Sequence, residues 1–149
     1  MKVCLVGSSG GHLTHLQMLK PFWEKYERFW VTFDKADARS LLKGEVMYPC
    51  HYPTNRNIFN LIRNTFLAIR VLRKERPDLI ISSGAAVAVP FFYIGKLMGA
   101  RTIFIEVFDR VDSSSLTGRL IYPVADRFIV EWESMKKVYP KAINLGSIF

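Results

Sequence analysis

The residues Lys2-Val3-Cys4-Leu5-Val6 form a short apolar run of strand type that empties into Gly7-Ser8-Ser9-Gly10-Gly11-His12. An apolar-periodic segment follows at once, carrying Leu13, Leu16, Met18, Leu19, Phe22 and Trp23. Strand, glycine loop, helix is the opening of an α/β domain that handles a nucleotide or a phosphate. The glycines let backbone approach a ligand closely. The unpaired N–H groups of the helix's first turn point into the same gap and favour an anion. Ser8 and Ser9 add hydroxyls and His12 adds a titratable ring. The same residues also suit a plain strand-to-helix turn in which glycine supplies geometry alone. The glycines stand as G-x-x-G-G, which is not the dinucleotide fingerprint G-x-G-x-x-G. No Lys-Ser/Thr pair follows, so it is not a P-loop either.

The rest of the chain repeats the alternation. Strands are expected at 28–33, 46–48, 78–82, 101–105, 126–130 and 142–145, and helices at 35–42, 57–75, 87–98, 116–122 and near 134–138. Residues 49–53 read as a loop. Such alternation implies a Rossmann-like, doubly wound, mostly parallel sheet with helices on both faces. Right-handed crossovers then bring every strand's C-terminal end to one edge, and ligands bind there where strand order reverses. That edge collects Gly7 to His12, Ser82 to Gly84, Glu106 to Arg110, Trp132 with Glu133, and Gly146.

With 149 residues the expectation is one domain, 1–149, large enough for a proper core. Half the residues are apolar, which excludes disorder, and the formal charge of +8 calls for an acidic partner. Cys4 and Cys50 are too few and too far apart for a disulfide framework or a metal knot, and suggest a reducing compartment. His12 and His15 share a helix face, but no third ligand accompanies them, so no metal is assigned. The longest uncharged run, 79–95, is broken by Ser82-Ser83-Gly84 and Pro90 and reads as a buried βα unit, not a membrane span.

The longest helical pattern, 57–75, places Ile58, Leu61, Ile62, Phe66, Ile69 and Leu72 on one face, with Arg56, Arg63 and Arg70 on the opposite side. That is either a solvated face over the sheet or a basic amphipathic surface turned to anionic lipid. Nucleic acid is not expected, because no nucleic-acid motif is present.

Several motifs then agree in order: Gly7-Ser8-Ser9-Gly10-Gly11-His12-Leu13, Pro77-Asp78-Leu79-Ile80-Ile81-Ser82-Ser83-Gly84, Ile103-Phe104-Ile105-Glu106, Arg110-Val111, Ser115-Leu116-Thr117-Gly118-Arg119-Leu120 and Ala125-Asp126-Arg127-Phe128-Ile129-Val130-Glu131-Trp132. The chain resembles the PssD/EpsE type of bacterial exopolysaccharide and capsule glycosyltransferase subunit. That family is similar to the eukaryotic asparagine-linked glycosylation protein fourteen and, more distantly, to the N-terminal half of MurG. The resemblance implies the acceptor-side half of a split GT-B enzyme, with no cofactor. A separate small subunit would carry the UDP-sugar site. Together they would extend a polyprenyl-diphosphate-linked saccharide at the cytoplasmic face of the membrane, to which this chain would bind peripherally.

On that reading His12 is the first choice for the general base, since an imidazole titrates near neutrality. Glu106 is the alternative, and a buried acid holding loop backbone is its other reading. Ser8, Ser9, Gly10 and Gly11 would hold the acceptor diphosphate, with Ser83 and Gly84 as the floor of the cleft. Trp132 and Glu133 would meet the partner or a sugar face, unless Trp132 simply packs. Arg56, Arg63 and Arg70 would face the membrane. Two competing readings are a non-catalytic membrane scaffold for the catalytic subunit and a small dinucleotide-binding protein, the latter suggested by Asp34 at the end of the second strand.

Overall fold

The computed structural model describes residues 1–54, 56–106 and 113–145. Arg110, Val111 and Gly146, named above, lie outside them. The elements run β1 (Lys2–Val6), α1 (Gly11–Gln17), α2 (Lys20–Trp23), β2 (Glu27–Phe33), α3 (Ala36–Leu41), β3 (Met47–Cys50), α4 (Ile58–Glu75), β4 (Leu79–Ser82), α5 (Ala88–Leu97), β5 (Arg101–Ile105), α6 (Leu116–Ile121), β6 (Arg127–Val130), a 3-10 turn (Glu133–Lys137) and β7 (Ile143–Asn144).

All seven strands pair in parallel, in the order β3-β2-β1-β4-β5-β6-β7. The order reverses between β1 and β4, so the C-terminal ends of those two strands flank the switch point. Side chains alternate across the sheet, as strand geometry requires. Cys4, Val6, Ile80, Phe104 and Phe128 join Leu67 and Val71 of α4, Phe91 and Phe92 of α5, and Ile121 of α6 in one core. Val3, Leu5, Trp30 and Ile81 join Leu13 and Leu16 of α1, Trp23 of α2 and Ala38 of α3 in the other.

Four local departures from the sequence reading have physical causes. The single helix expected after the glycine loop is two pieces, because Pro21 at the start of α2 has no N–H to continue the ladder. β3 extends through Pro49 and Cys50, taken above for loop; on an edge strand a proline costs no ladder bond, and Cys50 is drawn into the core. The segment near 134–138 closes as a 3-10 turn, not an α-helix.

The fourth departure is the largest. Of the apolar stripe of α4, Leu72 is buried in the core and Ile69 half-buried, but Ile58, Leu61, Ile62 and Phe66 turn away from the sheet. The helix's inward residues are Asn60, Asn64, Leu67, Ala68, Val71 and Leu72. Ile58, Phe59, Ile62 and Phe66 are exposed, Phe59 by 70% and Phe66 by 68%. The asparagines explain the rotation. Asn64 Oδ1 accepts from His51 N at 2.8 Å and its Nδ2 donates to His51 O at 3.0 Å. Asn60 Nδ2 donates to Pro53 O at 2.8 Å. The two amides, themselves buried, find their partners in the backbone of His51 and Pro53, so turning them outward would forfeit three hydrogen bonds.

Candidate active site at the switch point

The loop after β1 and the loop after β4 meet as closely as backbone permits. A Cβ on Gly7 would fall 2.6 Å from Gly84 O, and a Cβ on Gly84 would fall 2.6 Å from His12 Cε1 and 2.9 Å from its Nδ1. Gly84 also has φ +125°, a conformation that side-chain-bearing residues rarely adopt. The imidazole of His12 therefore lies against the Cα of Gly84. Ser83 Oγ donates to His12 O at 3.1 Å, and Gly84 N donates to Ser82 Oγ at 3.0 Å. His12, Ser83 and Gly84 are thus brought together, as the sequence suggested.

The glycine loop itself is graded. Ser8 is buried, Ser9 half-buried, and Gly10 and Gly11 exposed with open space where a side chain would stand. Gly10 N donates to Asp37 Oδ2 at 2.7 Å, so a carboxylate from α3 already occupies one of the donors assigned to an anion. Asp37 was not foreseen. Asp34, the acid of the dinucleotide reading, pairs instead with Arg39 at 3.3 Å.

Glu106, just past β5, is 1% exposed. Its carboxylate accepts from Ser115 Oγ at 2.8 Å and 3.0 Å, from Ser115 N at 3.2 Å, and from the Tyr139 hydroxyl at 2.8 Å. Ser115 in turn caps α6 by accepting from Gly118 N at 2.9 Å. This is the loop-holding arrangement given above as the other reading of Glu106. Burial, and then the Glu106 charge, raise the Tyr139 phenol above its ordinary value.

Trp132 and Glu133 follow β6 on the same sheet edge and are exposed, Trp132 by 40%. Glu133 accepts from Asn144 Nδ2 at 2.9 Å. Arg56, Arg63 and Arg70 are all exposed, and they flank the outward apolar stripe of α4 instead of opposing a buried one. The Arg63 guanidinium sits over the Phe59 ring at 5.6 Å.

One pair at this edge escaped the sequence reading. His15 Nε2 meets Glu131 Oε1 at 3.0 Å, with side-chain exposures of 2% and 1%. The signal was available: His15 occupies a core-facing slot between Leu13 and Leu16, and a buried polar group demands a buried partner. Among the described residues no group of three or more His, Cys, Asp or Glu has the geometry to hold a metal ion. Among them, too, no helix is long and apolar enough to cross a membrane.

The model of the Alg14-like oligosaccharide biosynthesis proteins matches residues 50–148. The human UDP-N-acetylglucosamine transferase subunit ALG14 is 26% identical over an alignment covering 99% of this chain and 83% of that protein. The Candida albicans protein of the same name is 32% identical over 93% of this chain and 74% of its own length. Among solved structures, Acinetobacter baumannii MurG superposes with a TM-score of 0.72 at 18% identity, over 89% of this chain and 42% of that one. The UDP-GlcNAc 2-epimerase of Methanocaldococcus jannaschii superposes with a TM-score of 0.75 at 13% identity, over 99% of this chain and 46% of that one. The chain spans under half the length of these structures, and the likeness is one of fold. The family match and the fold together place the chain in the Alg14-like family, a family of glycosyltransferase subunits.

Proposed function

We propose that the chain is the acceptor-binding, membrane-docking subunit of a two-component UDP-sugar glycosyltransferase that extends a polyprenyl-diphosphate-linked saccharide. A small catalytic subunit supplies the UDP-sugar site. The setting is bacterial capsule or exopolysaccharide synthesis, at the cytoplasmic face of the membrane, as the PssD/EpsE resemblance implies. The observation that carries this reading is the seating of His12 on Gly84 at the switch point of a parallel sheet. That arrangement fixes an imidazole beside two loops that backbone can share with a ligand.

In the reaction His12 accepts the proton of the acceptor hydroxyl as that oxygen attacks the anomeric carbon. The bond from that carbon to the UDP oxygen breaks, and UDP departs on the partner's side. Ser8, Ser9, Gly10 and Gly11 hold the acceptor diphosphate above the floor made by Ser83 and Gly84. The diphosphate replaces the Asp37 carboxylate at Gly10 N, exchanging one anion for another. Glu106 holds Ser115, the cap of α6, in place. Trp132 and Glu133, on the same edge, meet the partner or the sugar.

The outward stripe of α4 supplies the membrane contact. Ile58, Phe59, Ile62 and Phe66 enter the interface while Arg56, Arg63 and Arg70 meet anionic headgroups. α4 begins at the strand C-terminal edge, so the lipid surface adjoins the cleft.

The test is co-purification with candidate small subunits, then transfer from labelled UDP-sugars to polyprenyl-diphosphate acceptors. UDP-N-acetylglucosamine comes first, because the curated relatives are named for it. His12→Ala should lower turnover at least about tenfold while the complex still forms. Unchanged turnover removes His12 from the chemistry and leaves the scaffold reading, in which this chain only recruits its partner.

A further inference from the structure

α1 is a poor helix on its own. It has seven residues, starts at Gly11 and has no side-chain cap. A side chain at Gly10 or Gly11 would point into open space, so neither position is gripped from outside. So short a segment does not fix its own rotation to the tolerance a catalytic base requires. Leu13 and Leu16 hold α1 to the core, but apolar contact is non-directional.

Two directional ties reach α1 from the sheet edge: Ser83 Oγ donates to the His12 carbonyl beside the cleft, and His15 bonds Glu131 on the far side of it. Glu131 is the first residue past β6, and β6 lies three strands from β1 in the sheet. The second tie therefore anchors α1 across β4 and β5. A buried pair of this kind is a weak source of stability, because desolvation offsets the attraction. Glu131 Oε2 is moreover buried with no hydrogen-bond partner among the described residues, an added cost. What the pair does supply is one bond of fixed length and direction. His15 is three residues beyond His12, so the two side chains are neighbours on the helix surface. A rotation of α1 that breaks the bond to Glu131 also swings His12 off Gly84.

We propose that His15 and Glu131 are positioning residues whose hydrogen bond sets the rotation of α1 and holds His12 in the cleft. The proposal rests on the reading of His12 as the base, and it is tested by a readout that does not depend on that reading. The chain has three histidines, so their ring resonances are few enough to assign. The wild type is compared with the double variants His15→Leu/Glu131→Leu and His15→Gln/Glu131→Gln, alone for NMR and with the partner subunit for transfer. In the leucine pair the His12 ring resonances should move toward those of a solvent-exposed histidine, with kcat about tenfold lower and the acceptor KM within about twofold. The glutamine pair keeps an amide-to-amide hydrogen bond and should restore both readouts, kcat to within about threefold.

Unmoved His12 resonances in the folded leucine pair overturn the proposal. So does a glutamine pair as impaired as the leucine pair, or a leucine pair that does not fold, which would make the bond a stability element. Moved resonances with unchanged turnover uphold the positioning role and remove His12 from the chemistry instead.

Discussion

Asn64 takes both backbone polar groups of His51, accepting from its N–H and donating to its carbonyl, and this clamp fixes which face of α4 turns inward. Asn64→Leu adds apolar surface at a buried position yet strands the two His51 groups. His51 is half-buried, and each hydrogen bond lost there costs about 1 kcal/mol, so two together outweigh what one partly packed leucine returns. The expected outcome is a protein destabilised by about 2 kcal/mol in chemical denaturation. A stabilised variant would mean that the clamp does not set the helix's rotation.

With the clamp in place, Phe59 and Phe66 stand in solvent. Phe59→Ser with Phe66→Ser should leave unfolding free energy within about 0.5 kcal/mol per site, as exposed substitutions do. The same variant should bind vesicles containing anionic lipid at least about tenfold more weakly, since two buried rings are lost from the interface. Arg63→Glu with Arg70→Glu should instead abolish the salt-sensitive part of binding. Cosedimentation at two ionic strengths separates the two contributions, and full retention by both variants would place the membrane surface elsewhere.

Gly84→Ala puts a methyl group 2.6 Å from His12 Cε1 and 2.6–3.1 Å from the ring as a whole, at a φ that alanine adopts only under strain. The ring must move. Transfer by the two-subunit complex should fall about tenfold or more, while the fold loses about 1–3 kcal/mol. Thermal unfolding and turnover read the two effects independently. A variant with normal turnover would show that the seat of His12 is not needed.

The strands and the glycine loop were legible because each is a local pattern. Val3 to Val6 and Leu79 to Ile81 are buried runs, and the residues after them form turns that need glycine at Gly7 and Gly84. Parallel pairing followed from the alternation of elements. The orientation of α4 was not legible from periodicity. The strongest apolar stripe, through Ile62 and Phe66, looked like the core face because the competing asparagines declare themselves only when His51 and Pro53 are brought alongside. The bond from His15 to Glu131 joins residues 116 apart in sequence, and that from Gly10 to Asp37 joins residues 27 apart. No local rule selects those partners; the sheet order does.

Glu106 and Tyr139 offer a test of the loop-holding role through pH. The Tyr139 hydroxyl donates to Glu106 at 2.8 Å, and burial followed by the Glu106 charge raise its pKa above the ordinary 10.0. The unfolded chain ionises this phenol near pH 10 while the folded chain keeps it protonated. Its contribution to stability is therefore complete below about pH 10 and declines as pH rises beyond it. The Cys4 thiol, raised well above 9.0 by burial, acts with the same sign, so the wild-type slope alone does not isolate the tyrosine. Tyr139→Phe does. Its unfolding free energy should be lower near neutrality by about 1–2 kcal/mol, from the lost bond to a carboxylate. Between about pH 9.5 and pH 11 it should fall less steeply than the wild type's. Parallel slopes in the two proteins would mean that the Tyr139 phenol titrates as an ordinary tyrosine and that the Glu106 cluster does not hold it.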